Sequence, residues 1–131
     1  PLAGLHLLLA EDNELNSEIA TTLLEGQGAS ITAVENGRLA LEAIQNAAPR
    51  TYDAILMDVM MPEMNGLEAT RCIRAFEGKG PGEGTPIIAM TANVFADDVK
   101  ACLDAGMNSH VGKPLDMKVL IGEILKYTNA R

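Results

Sequence analysis

The sequence predicts an α/β fold with one parallel sheet and helices on both of its faces. Short apolar runs typical of buried strands alternate with segments of helical periodicity, and the chain contains five of each. Alternation of this kind favours parallel strands joined by crossover helices. The chain has 131 residues, of which 47% are hydrophobic, so it is long enough for one globular domain with a substantial core.

The first strand and the first helix have the clearest signals. Residues 5–10, LHLLLA, are nearly all apolar, as expected of a strand that is buried on both faces. From Glu14 the apolar residues recur with helical spacing, and Gly26 marks the end of this segment. The chain therefore begins with one strand–helix unit.

Two further strands and helices follow in the middle of the chain. Residues 29–35 form the second predicted strand, and Asn36-Gly37 turns the chain into a second helix, which ends before Pro49. The third predicted strand covers 53–57, and the third helix covers 66–76. The order of strand and helix is the same in each unit.

The last third of the chain holds a flexible loop and two more strand–helix pairs. The glycine-rich loop at 77–85, EGKGPGEGT, lacks the GxxxxGK[ST] order of a phosphate-binding loop. Strands are predicted at 86–90 and 109–112, and helices at 95–105 and 116–127.

Few strand orders are available to such a sheet, because crossovers between parallel strands are right-handed. We expect the doubly wound order 2-1-3-4-5, in a flavodoxin-like three-layer sandwich of five parallel strands and five helices. In sheets of this kind the ligand site lies at the carboxyl ends of the strands. The residues at those ends therefore indicate the function.

Four of the five predicted strands end on polar residues. Glu11 and Asp12 follow the first strand, Asp58 ends the third, Thr91 the fourth, and Lys113 the fifth. Each residue alone has an ordinary explanation as a helix cap, a turn residue or a solvated loop residue. Their shared position predicts one site in which three carboxylates, a hydroxyl and an ammonium converge.

This set of side chains favours phosphoryl-transfer chemistry. Three clustered carboxylates repel one another and need a cation, and an all-oxygen ligand set favours Mg²⁺, with Mn²⁺ as the alternative. A carboxylate beside Mg²⁺ and Lys113 can attack phosphorus and form an aspartyl phosphate. Thr91 can hydrogen-bond a phosphoryl oxygen. Asp58, at the end of its strand, is the predicted nucleophile.

Four motifs together resemble the receiver domains of response regulators, and the resemblance covers essentially the whole chain. They are LLLAEDN at 7–13, ILMDVMMPEMNG at 55–66, PIIAMTAN at 86–93 and AGMNSHVGKPL at 105–115. The segments AEDNELN at 10–16 and GMNSHVGKP at 106–114 are most similar to receivers of hybrid sensor histidine kinases. The resemblance implies phosphorelay signalling, in which a phosphoryl group passes from a phosphohistidine to an aspartate and then on to another histidine.

The resemblance implies the phosphoacceptor and the metal ligands. Asp58 would accept the phosphoryl group and also ligate Mg²⁺. Asp12 would be a direct ligand, Glu11 a ligand acting through water, and the backbone carbonyl of Met60 a further ligand.

The resemblance also implies residues that respond to the phosphoryl group. Lys113 would contact it, the Lys113-Pro114 peptide bond would be cis, and Thr91 would be the switch hydroxyl. The aromatic switch position of the family holds His110 here. Two interpretations of His110 stay open: a rotameric gate that follows Thr91, or a strand residue without a switching role.

The implied partners are the phosphohistidine domain of a histidine kinase and a histidine phosphotransfer domain. Leu15 is either an exposed docking residue for a phosphotransfer helix or a packing residue. As an isolated domain the chain is expected to be a phosphoacceptor rather than an enzyme. Its self-dephosphorylation should be slow, because neither Met60 nor Asn93, which flank the phosphoryl group, is a good general base.

Composition and length bound the cellular setting. Eighteen acidic against ten basic residues give a net charge of −8, which argues against nucleic-acid binding by this domain. No apolar stretch approaches the ~20 residues of a membrane helix, so we expect no membrane contact by this domain. Residues 1–131 are expected to be one receiver domain cut from a longer protein, since the chain starts at Pro1. We expect a monomer or weak dimer in the cytoplasm, on the cytoplasmic side of the inner membrane if the parent is a hybrid kinase.

Three other functions compete with this prediction. A Mg²⁺-dependent phosphatase would place a second aspartate two residues after the nucleophile, where this chain has Met60. A degenerate receiver used only for binding would have lost some of the five polar positions, and all five are present. A flavodoxin-like cofactor binder is disfavoured because the loop after the first strand is acidic and would repel a phosphate.

Overall fold

Five strands alternate with five helices in the described part of the chain, as predicted. The structure, a computed structural model, describes residues 2–48, 51–59, 61, 64–80, 84–91, 96–113 and 116–128. The strands are β1 (His6–Ala10), β2 (Ser30–Val34), β3 (Ala54–Asp58), β4 (Ile87–Thr91) and β5 (Ser109–Gly112). The helices are α1 (Glu14–Glu25), α2 (Gly37–Gln45), α3 (Gly66–Glu77), α4 (Ala96–Ala105) and α5 (Met117–Thr128).

The strands form one parallel sheet in the order β2-β1-β3-β4-β5, which confirms the predicted topology. Asp58 at the end of β3 pairs with Met90 of β4, and Thr91 at the end of β4 pairs with Gly112 of β5. This register aligns the carboxyl ends of the central strands. The residues that end them therefore lie at one edge of the sheet.

The hydrophobic core is divided by the sheet into two layers. Between the sheet and helices α1 and α5 lie thirteen buried residues of the described ranges, among them Leu9, Leu56 and Leu120. The opposite layer lies under α2, α3 and α4 and includes Ile55 and Ile73. All five residues of β3 and of β4 are buried, because side chains of a central strand alternate between the two layers.

Asparagine side chains begin the first three helices. Asn13, Asn36 and Asn65 each accept a hydrogen bond through Oδ1 from the backbone N–H three residues later, at 2.9 Å in each case. Such a cap satisfies an otherwise unpaired N–H and stabilises a helix by about 1 kcal/mol. All three caps lie in loops at the carboxyl edge of the sheet, since each of these helices directly follows a parallel strand.

Several predicted element ends are shifted by the local hydrogen bonds. The second helix ends at Gln45 rather than just before Pro49, and the third extends to Glu77, where Gly78 takes the left-handed conformation with φ 68°. The third strand covers Ala54–Asp58 rather than 53–57, so its last residue is Asp58. Its backbone is therefore held by strand pairing.

A buried guanidinium connects the opposite end of the sheet. Arg74 donates to the carbonyls of Gly106 and Thr85 and to Asn108 Oδ1, at 2.8 to 2.9 Å, and pairs with Glu77 at 3.1 Å. Burial lowers the pKa of Arg74, and the neighbouring Glu77 carboxylate opposes this effect. Arg74 thus ties α3 to the segments that precede β4 and β5.

Candidate functional site

The predicted polar residues meet at the carboxyl edge of the sheet. Asp58 and Thr91 are the last residues of β3 and β4, while Glu11 directly follows β1 and Lys113 directly follows β5. Strand pairing positions their backbones, because Glu11 N donates to Val34 O at 3.1 Å and Lys113 N donates to Thr91 O at 2.8 Å. The four chain segments are thereby held in fixed relation.

Lys113 bridges two buried carboxylates. Its Nζ lies 2.9 Å from Asp58 Oδ2 and 3.0 Å from Glu11 Oε2. Glu11 and Asp58 are 5% and 4% exposed. Hydrogen bonds between ionised groups at such distances are stronger than neutral ones, so Lys113 fixes the direction in which both carboxylates point.

Three acidic side chains could hold a metal ion together. Each of Glu11, Asp12 and Asp58 offers a carboxylate oxygen within 4.8 Å of the other two. Asp12 is exposed while the other two are buried. Oxygen ligands with an exposed member that leaves room for water suit Mg²⁺, which keeps several waters when bound to proteins. The donor set therefore fits the predicted metal.

The electrostatics of the site reflect its excess of acid. Burial raises the pKa of Glu11, and the charge of Asp58 adds to this effect, while hydrogen bonds from Lys113 and from the backbone of Asn13 oppose it. Burial disfavours the Lys113 ammonium, but the hydrogen bonds to Asp58 and Glu11 outweigh this and raise the pKa of Lys113. Lys113 is therefore charged at neutral pH, and the two buried acids outnumber it.

A cavity of about 420 Å³ opens above these residues. It is lined by Glu11, Asp12, Asn13, Asn16, Asp58, Val59, Thr91 and Lys113. The cavity brings a carboxylate, an ammonium and a hydroxyl to one solvent-accessible space of a size that holds a small polar group. This arrangement can accept an electrophile at Asp58 with positive charge already beside it.

The family model of the response regulator receiver domain matches residues 7–125, nearly the whole chain. The chain belongs to this family. Receiver domains act in two-component signal transduction, so this chain is a signalling domain, as the sequence motifs predicted.

Individual relatives of this receiver domain are sensor kinases. Probable histidine kinase 1 of Oryza sativa subsp. indica is 41% identical over 140 residues, which cover 86% of this chain and 14% of that protein. The receiver domain of sensor histidine kinase PA1611 from Pseudomonas aeruginosa is 37% identical with a TM-score of 0.83, covering 97% of this chain and 99% of that one. That crystal structure has a magnesium ion coordinated in its active site cleft.

A third comparison concerns a complex. The co-crystal structure of the Saccharomyces cerevisiae histidine phosphotransfer protein Ypd1 with the receiver domain of Ssk1 matches with a TM-score of 0.85 and 26% identity, covering 95% of this chain and 89% of that one. In that complex a receiver domain of similar fold is bound to a histidine phosphotransfer protein.

Some predicted site residues lie outside the described part of this receiver domain. These are Met60, Asn93 and Pro114. His110 is described and half-buried, on β5, where it pairs with Ala89 of β4. Its switching role stays a prediction.

Sequence reasoning missed two asparagines of the receiver site. Asn13 and Asn16 line the cavity, and Asn13 N also donates to Glu11 Oε1 at 3.2 Å. The sequence signal for this pair is an asparagine directly before a helical segment, which is a typical N-cap. Such a cap accepts a hydrogen bond from the backbone N–H three residues later, and here that residue is Asn16.

Helix α1 of the receiver domain presents an apolar stripe to solvent. Leu15, Ile19 and Leu23 are 64%, 50% and 47% exposed and recur every four residues, so they lie on one face. Of the two interpretations of Leu15, packing into the domain is therefore excluded by its exposure. None of the described helices has the length and apolar character needed to cross a membrane.

Proposed function

We propose that this receiver domain accepts a phosphoryl group on Asp58 from a phosphohistidine and passes it to a histidine phosphotransfer partner. The observation that carries this proposal is the pairing of buried Asp58 with Lys113, 2.9 Å apart, beside two further acids in one cavity. A carboxylate without such surroundings would be a poor acceptor, since its charge would repel the phosphoryl oxygens.

The transfer step exchanges a P–N bond of the donor for an O–P bond to Asp58. An Asp58 carboxylate oxygen attacks phosphorus, an O–P bond forms, and the P–N bond to the donor imidazole breaks, with its electron pair returning to nitrogen. Lys113 can donate to a phosphoryl oxygen as charge leaves the Asp58 carboxylate, and the Thr91 hydroxyl can donate to another.

The proposed metal ligands are Glu11, Asp12, Asp58 and the backbone carbonyl of Met60. Bound Mg²⁺ would offset the negative charge that spreads over the phosphoryl oxygens. Before transfer, Glu11 and Asp58 share the Lys113 ammonium, so this chain holds its acids in place without the ion. EDTA should therefore stop phosphorylation without unfolding the domain.

The proposed partner docks through the α1 stripe of Leu15, Ile19 and Leu23. The stripe begins four residues after Glu11, so a helix lying on it would bring its histidine close to the Asp58 cavity. A cleft of about 510 Å³, lined by Ile19, Leu23 and Met117, runs beside the stripe between α1 and α5 and reaches Lys113. An apolar partner face fits these surfaces.

The length of a relative supports the proposed setting. The chain spans 14% of the length of the rice kinase that it matches, which supports one domain of a longer hybrid histidine kinase. We propose a cytoplasmic location, where kinase phosphohistidines are available. The isolated domain would be a phosphoacceptor with slow self-dephosphorylation rather than an enzyme with a free substrate.

Mass spectrometry after incubation with Mg²⁺ and acetyl phosphate tests the acceptor. Wild type should gain one acid-stable, base-labile phosphoryl group, and Asp58→Asn should gain none. Asp53→Asn is the matched control, because Asp53 precedes the other end of the same strand and accepts a hydrogen bond from His6 N that asparagine can also accept. A phosphoryl group that persists in Asp58→Asn would show that another residue is the acceptor.

A further inference from the structure

The start of α2 lies against the loop that follows the phosphoacceptor. Gly37, the first residue of α2, is buried, and its N–H donates to the carbonyl of Met64 at 3.0 Å. A Cβ at Gly37 would lie 2.3 Å from Met64 O, 2.9 Å from Ala69 Cβ and 3.0 Å from Asn65 O. Two of these three atoms are backbone, so a side chain here would displace the loop itself.

The same loop is closed tightly on Asp58 at its other end. Gly66 N donates to Val59 O at 2.9 Å, and a Cβ at Gly66 would lie 2.3 Å from Asp58 O. The loop therefore returns to the backbone of the phosphoacceptor after a few residues. Because Gly66 is only two residues from Met64, a displacement of Met64 is passed through Gly66 to the backbone of Asp58 and Val59.

Backbone conformation does not account for a glycine at position 37. The described glycines with positive φ are Gly4, Gly28, Gly78 and Gly106. Gly37 begins a helix, where glycine is less favourable than alanine. The close approach of the loop is thus the physical reason for the missing side chain.

We propose that Gly37 is a positioning residue for the metal-binding loop. By leaving room for Met64 and donating to its carbonyl, it holds the segment 64–66, which packs against the Asp58 backbone, so that the Asp58 carboxylate keeps its direction toward the metal site. This inference rests on the proposed Mg²⁺-dependent phosphoacceptor function. It adds to the site a residue that the family motifs around Asp58 do not contain.

Isothermal titration calorimetry of the unphosphorylated protein with Mg²⁺ measures the Kd for Mg²⁺ and tests the proposal. Gly37→Ala should raise the Kd for Mg²⁺ by about 10-fold, the lower end of what outer-shell changes do to metal sites. Gly122→Ala is the matched control, because Gly122 is an exposed glycine of α5 whose added Cβ would meet nothing within 4 Å. Its Kd should equal that of wild type. A folded Gly37→Ala protein with the wild-type Kd would overturn the proposal.

A purely structural role is distinguished by thermal unfolding with and without Mg²⁺. Loss of stability alone would lower the Tm of Gly37→Ala equally in EDTA and in Mg²⁺. Positioning of the loop predicts a smaller Mg²⁺-induced rise in Tm than wild type has at the same Mg²⁺ concentration, because ligand stabilisation depends on Kd. An undiminished rise would contradict the proposal.

A second variant decides the question if Gly37→Ala does not fold. Asn36→Ala removes the cap that Asn36 Oδ1 gives to Leu39 N at 2.9 Å, and so loosens the same helix start without adding bulk. It should raise the Kd for Mg²⁺ by about 3-fold, below the outer-shell range, because Gly37 itself is retained. An unchanged Kd would overturn the inference. If wild type itself binds no Mg²⁺, the proposed Mg²⁺-dependent function is wrong. If wild type binds Mg²⁺ and the variants have the same Kd, only the role of Gly37 is wrong.

Discussion

Lys113 and Asp58, which are 55 positions apart in the chain, are joined by an ion pair with 2.9 Å between Nζ and Oδ2. The same ammonium pairs with Glu11, so one positive charge serves two buried carboxylates. Lys113 therefore does for the unphosphorylated site part of what a divalent cation would do. It also competes with that cation for the same two carboxylates.

Replacing Lys113 should separate metal binding from phosphoryl transfer. Lys113→Met leaves Glu11 and Asp58 without their cation, so the attraction for Mg²⁺ should increase and its Kd should fall. Transfer from acetyl phosphate should nevertheless slow by about 100-fold, the usual cost of removing one preorganised donor to a developing charge. Calorimetry and a phosphorylation time course measure the two effects. Lys118→Met is the control, because Lys118 is exposed on α5, and it should change neither the Kd for Mg²⁺ nor the rate of transfer. Transfer at the wild-type rate in Lys113→Met would disprove the role of Lys113.

The raised pKa of Glu11 predicts a pH dependence of stability. Its ordinary value is 4.5, so between pH 4.5 and its higher pKa in the folded protein the native state binds more protons than the unfolded state. Stability without metal therefore falls as pH rises through this window. Glu11→Gln should remove this contribution and raise the Tm in EDTA at pH 7, while weakening Mg²⁺ binding. Thermal unfolding from pH 4 to 8 measures this, and an unchanged pH profile in Glu11→Gln would contradict it.

Arg74 should be far more important for stability than an exposed arginine. Arg74→Met leaves Glu77 without its buried partner and two carbonyls without donors, and breaking a buried ion pair typically costs about 3–5 kcal/mol. Arg38→Met is the control, since Arg38 makes an exposed pair with Glu42 at 3.6 Å that should contribute about 0.5 kcal/mol or less. Urea unfolding compares them. Equal losses for the two variants would show that the Arg74 network is not a major source of stability.

The sequence was sufficient for features set by local periodicity and by strand ends. Alternating apolar runs and helical segments predicted all ten elements, and the parallel topology then brought Glu11, Asp58, Thr91 and Lys113 to one edge. Helix ends were less accurate. The second helix stops at Gln45, because its last turns depend on local hydrogen bonds that Pro49 does not reveal.

Contacts between distant segments could not be predicted in this way. The buried position of Arg74 depends on hydrogen bonds to the backbone carbonyls of Thr85 and Gly106. Every residue has such a carbonyl, so the residue type does not identify these acceptors. Gly37 looked like part of an ordinary turn, and its closeness to Met64 O appears only when α2 and the loop after Asp58 are packed together. Backbone acceptors and missing side chains leave no pattern in a single sequence.

Charge on the α1 stripe should block partner transfer without affecting the acceptor chemistry. Ile19→Glu places a carboxylate in the middle of the proposed docking face, where a partner would have to desolvate it. Phosphorylation by acetyl phosphate should stay within about 2-fold of wild type, because a small donor reaches Asp58 without contacting the α1 stripe. Transfer to or from a purified histidine phosphotransfer protein should fall by about 10-fold or more, which corresponds to about 1.4 kcal/mol of docking free energy.

Val119→Glu provides the control for that experiment, because Val119 is an exposed apolar residue of comparable exposure on α5. If docking uses α1, Val119→Glu should react at the wild-type rate both with acetyl phosphate and with the histidine phosphotransfer protein. Only Ile19→Glu should slow the reaction with the phosphotransfer protein while leaving the reaction with acetyl phosphate unchanged. A loss of transfer in both variants would indicate that the partner covers α5 as well. A loss in Val119→Glu alone would show that the partner docks elsewhere and that the α1 stripe is not its binding surface.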